Sequence, residues 1–167
     1  MTILFTGLPG SGKSTTAYGV ERSLFDLGRS AKVLDGQNVR MGLNRDLSFS
    51  AGGRSENMRR VAEVSRLLNR SGLISLVSLV SPREIDRGRA AEVIGKDKFI
   101  VIHLSAPPEL CESRNESAKQ RETEGAQEST FEYEVPANAD LVLDTENTPS
   151  ADCVARVIEF LESKEII

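Results

Sequence analysis

A glycine-rich segment near the amino end of the chain carries the residues best suited to chemistry. The run Gly7-Leu8-Pro9-Gly10-Ser11-Gly12-Lys13-Ser14 matches the pattern G-x-x-x-x-G-K-[ST] in full, and Thr15 follows it. Glycines let a backbone wrap closely around phosphate, so that N–H groups and the amino end of a following helix point at anionic oxygens. Lys13 would reach the β- and γ-phosphates of a nucleotide, and the Ser14 hydroxyl would ligate Mg²⁺. Residues 7–15 therefore predict an ATP site, the alternative being a chance glycine turn before a helix.

A carboxylate follows the next apolar run of the chain. Asp35 comes directly after residues 31–34, which are predicted to form a strand. At the end of a strand, facing the glycine-rich segment, this side chain could accept the proton of an acceptor hydroxyl or hold the metal through water. The alternative is an aspartate that caps a helix or a turn. We predict that Asp35 and Lys13 are catalytic and that Asp35 and Ser14 share the metal.

Arginines are unusually dense after Asp35, although the chain as a whole has a formal charge of −4. Guanidinium groups recognise phosphate or sulfate through paired donors, and an aromatic ring can stack on a base. An acidic chain that concentrates arginine next to a phosphate loop is expected to bind an anion there. For any single arginine the alternative is a solvated helix face, and adjacent Arg59 and Arg60 cannot both face one crevice. The residues concerned are Arg40, Arg45, Arg54, Arg59 and Arg60, set among Asn44, Phe49 and Asn57.

The remaining residues with reactive side chains suggest structural roles. His103, the single histidine, lies in an apolar run and is expected to be a hydrogen-bonded core residue. Cys111 and Cys153 lack the spacing of a zinc site or a redox pair, so ordinary thiols are expected.

The pattern of apolar residues predicts alternating strands and helices. Strands are expected at 2–6, 31–34, 73–80, 99–104 and 141–143. Helices are expected at 14–27, 54–71, 83–94, 107–114 and 150–163, with Gly28 and Gly72 ending the first two. Residues 115–132 are polar and without clear period, which makes them a candidate lid, an ordinary surface loop being the alternative.

This alternation predicts an α/β protein with a parallel sheet of about five strands flanked by helices on both faces, the fold of P-loop NTPases. Ligands of such sheets bind beyond the carboxyl ends of the strands. The segments 7–14, 35–40 and 81–82 begin at such ends, so we expect them to converge on one crevice. The chain of 167 residues is expected to form a single domain, 1–167.

Composition excludes several classes of function. An acidic balance argues against a general nucleic-acid binder, which normally carries a basic excess. No apolar run approaches the length of a membrane span, and the amino end has no signal-peptide pattern, so a cytoplasmic location is expected. The chain can also be a domain of a longer protein.

Several linked motifs resemble the adenylyl-sulfate kinases. The likeness is carried by residues 7–15 (GLPGSGKST), 34–40 (LDGQNVR), 42–50 (GLNRDLSFS) and 54–64 (RSENMRRVAEV), in register up to Ser81-Pro82. It resumes at residues 106–112 and 141–145. Motifs linked at consistent spacing are far more specific than the phosphate loop alone.

The resemblance implies ATP-Mg²⁺-dependent phosphorylation of the ribose 3'-hydroxyl of adenosine 5'-phosphosulfate (APS), giving 3'-phosphoadenosine 5'-phosphosulfate. It also implies that Arg40, Arg54 and Asn57 hold the phosphosulfate or its ribose and that Phe49 stacks on adenine. Ser81 falls where the family is described as forming a phosphoserine intermediate. In-line transfer needs only positioning and charge neutralisation, so we expect Ser81 to line the substrate pocket. A homodimer, and fusion or association with an ATP sulfurylase, are further implications.

Two departures from the family pattern leave alternatives open. The family usually has a second aspartate where this chain has Gln37, and an amide is a weaker magnesium ligand than a carboxylate. The family's lid motifs, KGLYKKAR and FTGID, are absent from residues 115–133, where Lys119, Arg121 and Phe131 could substitute. The alternatives are a kinase of another nucleotide-linked anion, or a catalytically weak nucleotide-binding regulatory domain.

Overall fold

A computed structural model describes residues 1–119 and 131–167 of the chain. Within these residues five strands form one sheet in the order β2-β3-β1-β4-β5, and every neighbouring pair is parallel. The strands are β1 (Thr2–Thr6), β2 (Ala31–Asp35), β3 (Ile74–Ser78), β4 (Phe99–Ser105) and β5 (Leu141–Asp144). The predicted fold class is confirmed, and β2 and β5 are the two edges of the sheet.

Six α-helices connect these strands in the described part of the chain. They are α1 (Lys13–Asp26), α2 (Gly36–Met41), α3 (Ala51–Arg70), α4 (Glu84–Ile94), α5 (Pro108–Lys119) and α6 (Ser150–Ser163). Gly28 lies just past the end of α1, as predicted, with a φ of 72°; its N–H bonds Phe25 O, and Arg29 N bonds Leu24 O. Of the candidate lid 115–132, residues 115–119 belong to α5, and residues 120–130 lie outside the described residues.

The two faces of the sheet build two separate cores because side chains alternate along each strand. Ile3 and Phe5 of β1 point into a cluster formed with α1 and α6, which includes Val157 and Leu161. Leu4, between them, points into a second cluster formed with α2, α3 and α4. Helices therefore cover both faces of the sheet, as predicted.

Strand register brings the carboxyl ends of three neighbouring strands together. Asp35 at the end of β2 lies opposite Ser78 of β3, and Ser78 lies opposite Phe5 of β1. On the outer side of β2 the N–H of Val33 bonds the carboxylate of Glu21 on α1 (2.8 Å). The polar loops that leave β1, β2 and β3 thus start from one end of the sheet.

Candidate active site

The loop between β1 and α1 presents backbone donors at the start of a helix. Gly12 takes a left-handed conformation (φ 92°) at the N-cap of α1, and its Cα carries no side chain that could cap the helix. No acidic residue lies in the first turn of α1, so the positive end of the helix dipole is not offset there. This end of α1 can therefore accept an anion.

Lys13 is enclosed in this loop. Its side chain is 8% exposed, and its Nζ donates a hydrogen bond to Leu8 O at 2.8 Å. Burial lowers the pKa of Lys13 to about 8, although the nearby carboxylate of Asp35 acts in the opposite direction. A phosphate that entered the loop would supply the anionic partner that a buried ammonium needs.

The side chains of Ser14 and Asp35 meet at the carboxyl ends of β1 and β2. Ser14 Oγ donates to Asp35 Oδ2 at 2.5 Å and lies 3.0 Å from Ser78 Oγ. A hydroxyl and a carboxylate are oxygen ligands of the kind that Mg²⁺ prefers, and Mg²⁺ usually adds phosphate oxygens and waters. The described residues contain no cluster of three or more His, Cys, Asp or Glu that could hold a metal by itself. The pair therefore fits a magnesium ion that arrives with a nucleotide.

The same carboxylate also caps a helix. Asp35 Oδ1 accepts the N–H of Gln37 at 3.0 Å, which makes Asp35 the N-cap of α2. The structural alternative considered for Asp35 is thus realised, but through one carboxylate oxygen only. The other oxygen is directed to Ser14.

Arg40 and Arg54 lie against one aromatic ring. The guanidinium carbon of Arg40 lies 4.1 Å from the centroid of Phe49, and that of Arg54 lies 5.5 Å from it. Arg54 Nε donates to Phe49 O at 3.1 Å, and Arg40 Nη1 donates to Leu47 O at 3.0 Å. Burial lowers the pKa of both arginines from its usual value, and the charge of Arg40 lowers that of Arg54 further. Two partly buried cations beside a ring form a site suited to an anion attached to a flat group.

Asn57 is brought to the same region but is buried. Its Oδ1 accepts a hydrogen bond from Asn44 Nδ2 at 3.0 Å, which ties the loop after α2 to α3.

The remaining arginines of the dense segment are surface residues. Arg59 pairs with Glu56 at 2.7 Å, and Arg60 pairs with Glu56 at 2.9 Å and with Asp46 at 2.8 Å. The hydrogen bonds that Glu56 accepts from Arg59 and Arg60 lower its pKa to about 2. Arg45 is exposed. Arg59 and Arg60 therefore lie on a solvated helix face, which was the alternative considered for any single arginine. Arg40 and Arg54 do not.

Ser81 lies just beyond β3 in a strained conformation. Its φ is 42°, in the left-handed region that L residues with a side chain rarely adopt. The residue is 7% exposed, and its Oγ has no hydrogen-bond partner among residues 1–119 and 131–167. Its carbonyl accepts from Arg87 Nη1 at 2.6 Å.

Phe131, one of the candidates to replace the family's lid motifs, belongs to the described residues and lies close to Arg54. Arg40 and Arg54 together are called the arginine cluster. The guanidinium carbon of Arg54 lies 4.3 Å from the centroid of the Phe131 ring. Arg121 and the side chain of Lys119 lie outside the described residues.

His103 and the two cysteines are buried. Burial lowers the pKa of His103, whose Nδ1 lies 3.2 Å from the hydroxyl of Tyr133. This is the hydrogen-bonded core histidine that the sequence predicts. Cys111 and Cys153 are free thiols, and burial raises the pKa of both.

Sequence reasoning missed residues of α4 and of the segment after residue 130 that make contacts at the candidate site. Arg87 makes a buried hydrogen bond to Ser81, and Asp86 and Tyr133 make partly buried ones with Ser55 and Thr6, which adjoin predicted site residues in the chain. The only sequence signal for the buried arginine is the charged run at the start of α4, which does not show which of its charges is enclosed. No helix in the described ranges is long and apolar enough to cross a membrane.

Comparison with known proteins gives matches along almost the whole chain. The sequence profile of the family described as adenylylsulphate kinase matches residues 1–144. An adenylyl-sulfate kinase of Shewanella halifaxensis is 40% identical over 168 residues, which cover 98% of this chain and 82% of that protein. The bifunctional enzyme CysN/CysC of Rhodopirellula baltica is 44% identical over 171 residues, 99% of this chain but 26% of that enzyme.

A solved structure agrees with the fold in detail. The Mycobacterium tuberculosis APS kinase CysC, in complex with AMPPNP and APS, has a TM-score of 0.86 to this chain and is 39% identical. The alignment covers 96% of both chains. The likeness thus extends over both sequence and architecture.

Proposed function

We infer the function of this chain from its family, because the chain belongs to the adenylylsulphate kinase family. It is an ATP-dependent kinase that phosphorylates the 3'-hydroxyl of APS to give 3'-phosphoadenosine 5'-phosphosulfate. The observation that carries this function is the meeting of Lys13, Ser14 and Asp35 at the carboxyl ends of β1 and β2. Helix α2, which Asp35 caps, leads directly to Arg40 and the arginine cluster.

On the nucleotide side, Lys13 leaves Leu8 O and binds the β- and γ-phosphates of ATP. Residues 7–15 hold these phosphates with backbone N–H groups, Ser14 would ligate Mg²⁺ directly, and Asp35 would hold it through water unless it acts as the base for the acceptor hydroxyl. When bound, the metal ion neutralises charge that develops on the phosphoryl oxygens. Lys13 supplies a second positive charge at the bond that breaks between the β- and γ-phosphates.

On the acceptor side, Arg40 and Arg54 bind the phosphosulfate, Phe49 stacks on the base, and Asn57 and Ser81 line the pocket. Asp35 accepts the proton of the 3'-hydroxyl or holds the metal through water. The hydroxyl oxygen bonds to the γ-phosphorus while the bond to the β-phosphate oxygen breaks, which releases ADP. The whole chain, 1–167, acts as the catalytic domain in this proposal.

The bifunctional relative suggests a partner enzyme for this kinase. This chain spans about a quarter of that enzyme, so the second activity lies elsewhere in the relative. We propose that this kinase works fused to, or associated with, an ATP sulfurylase.

A second candidate is a kinase of another nucleotide-linked anion. It is favoured by the absence of the family's lid motifs from residues 115–133 and by Gln37 in place of an aspartate. A catalytically weak regulatory domain would share the same departures.

One assay separates these candidates. ADP release is coupled to a spectroscopic readout and measured with APS and with a panel of other nucleotide acceptors. Saturable turnover with APS supports the proposed function, and turnover with another acceptor alone supports the second candidate. ATP binding by calorimetry without turnover on any acceptor would identify a regulatory domain.

A further inference from the structure

Arg87, in the second turn of α4, is a buried cation that the proposed mechanism does not use. Its side chain is 2% exposed, the largest of the fully enclosed side chains. A buried guanidinium is costly unless its donors are satisfied, so the groups that Arg87 bonds indicate what it holds.

The donors of Arg87 reach two separate segments of backbone. Nη1 donates to Ser81 O at 2.6 Å, and Nη2 donates to Glu134 O at 2.6 Å. Nη2 also donates to Glu84 Oε2 at 2.6 Å, but this carboxylate is 60% exposed. A planar fork of donors can bind two carbonyls and a carboxylate at once, which a lysine ammonium on a flexible stem does less well.

The first segment is the turn that contains Ser81. Its left-handed conformation is unfavourable for a residue with a side chain, and its buried hydroxyl has no hydrogen-bond partner in the part of the chain that the structure describes. The hydrogen bond that Arg87 donates to the carbonyl of Ser81 holds the turn in this conformation. A polar group of a bound acceptor would satisfy the free hydroxyl.

The second segment, residues 131–134, is called the return segment here. The hydroxyl of Tyr133 lies 3.0 Å from Thr6 Oγ1 at the end of β1, and Glu134 N donates to Pro82 O at 2.8 Å. At the other end of the segment, the Phe131 ring lies over the guanidinium of Arg54. The return segment therefore runs from the Ser81 turn to the arginine cluster.

We propose that Arg87 is a positioning residue for the acceptor, because it fixes the Ser81 turn and the return segment relative to each other. The Ser81 hydroxyl and the contact between Phe131 and Arg54 then form two walls of one acceptor pocket. Arg87 itself touches neither substrate. This inference rests on the proposed function and adds that acceptor affinity depends on a residue behind the pocket.

The test uses Arg87→Lys and Arg87→Met in the full chain, with KM for APS and for ATP measured separately. Lysine keeps the charge but cannot hold both carbonyls in the same geometry, so KM for APS should rise about tenfold, because a small displacement of the Ser81 turn and the return segment misplaces the acceptor. KM for ATP should stay within about twofold, because the phosphate loop lies on other elements. Methionine should raise KM for APS further, and if this variant does not fold, the lysine variant decides alone.

A stability-matched control is Leu161→Ala on α6, which should lower Tm without changing either KM. If the Arg87 variants lower Tm and leave KM for APS within about twofold of wild type, Arg87 is only structural and the inference is wrong. An equal rise in both KM values would also overturn it. Absence of APS turnover in wild type would instead refute the proposed function and, with it, this inference.

Discussion

Lys13 is a charged side chain that the fold has enclosed before its ligand arrives. Its pKa of about 8, lowered from 10.5 by burial, means that the ammonium loses its proton within an accessible pH range. Between these two values the unfolded chain binds more protons than the folded chain, so the stability of the free protein should rise with pH there. Bound ATP should instead raise the pKa of Lys13, because its phosphates favour the protonated ammonium.

We therefore predict that ATP affinity falls as pH rises through about 8. The protonated fraction of a group with this pKa drops about tenfold between about pH 7 and about pH 9, and affinity should follow it. Calorimetric titration of ATP with Mg²⁺ at both pH values measures the change. In Lys13→Arg the guanidinium keeps its charge, so the pH dependence should disappear, and Lys13→Ala should abolish turnover. Equal wild-type affinity at both pH values would contradict the prediction.

Asp35 combines two roles that a pair of substitutions can separate. Asp35→Ala removes the cap of α2 and should cost about 1 kcal/mol of stability as well as all turnover. Asp35→Asn keeps an oxygen that can accept the N–H of Gln37 but removes the charge, so it should retain most stability and still lose turnover. Urea unfolding and the ADP-release assay give the two readouts. Wild-type turnover in the asparagine variant would remove the catalytic role.

Arg54 and Arg59 lie on the same helix and make different contacts. Arg54 contacts Phe49 and Phe131, whereas Arg59 pairs with Glu56 on the exposed face. Arg54→Ala should raise KM for APS at least about tenfold with little change for ATP, as expected when a charged contact to an anion is lost. Arg59→Ala is the matched control and should leave both KM values unchanged. A similar effect of the two substitutions would argue against a specific acceptor site at Arg54.

Sequence reasoning could predict features that leave local patterns along the chain. The glycine-rich loop between β1 and α1 and the place of Asp35 at the end of β2 are where the sequence predicts them, and their roles in the site stay predictions. The contact between Arg87 and Glu134 could not be predicted, because it joins residues 47 positions apart and depends on how α4 packs. The family resemblance implies the acceptor role of Arg54, but its contacts with Phe49 and Phe131 could be found only once α3 was placed against its neighbours.

At the scale of elements, two left-handed glycines have different surroundings. A Cβ at Gly10 (φ 86°) would overlap the carbonyl oxygen of Cys111 on α5, whereas a Cβ at Gly28 (φ 72°) would meet nothing within 4 Å. Gly28→Ala should therefore cost about 1 kcal/mol, the ordinary penalty of the left-handed conformation, and leave ATP binding unchanged. Gly10→Ala should displace the phosphate loop and weaken ATP binding more than about tenfold.

Thermal unfolding and ATP calorimetry on both variants check this contrast. Equal ATP affinity in the two variants would show that the contact between the phosphate loop and α5 does not shape the site.

Element prediction succeeded where a run of apolar residues or a helical period marks the element, and failed for a helix of less than two turns and for a helix start that depends on a cap. The bounds of β1 and α6 are as predicted, and α6 presents Val157 and Leu161 to the core at helical spacing. Helix α2 has six residues, too few for a period, so it was not predicted. Helix α3 starts at Ala51 rather than at the predicted residue 54, because the Ser50 side chain accepts the N–H of Gly53 and caps the helix earlier.

At the scale of the whole molecule, the two cores should affect function differently. Leu161 belongs to the core under α1 and α6, and Met58 belongs to the core under α2, α3 and α4, next to Asn57. Replacing either with alanine should cost about 3 kcal/mol in urea unfolding. Only Met58→Ala should also raise KM for APS, because it loosens the helix that carries Arg54. Equal KM values in the two variants would show that the acceptor site is insensitive to its own core.

The two edge strands of the sheet are poorly suited to pair with a strand of another chain. Strand β5 has four residues, and β2 has the carboxylate of Glu21 bonded to the N–H of Val33 and paired with Lys32. An exposed strand edge is otherwise a template on which a second chain can add, and charge or prior occupation of its donors removes that template. The occupied donor on β2 and the short length of β5 should therefore disfavour fibrillar growth from either edge of the sheet.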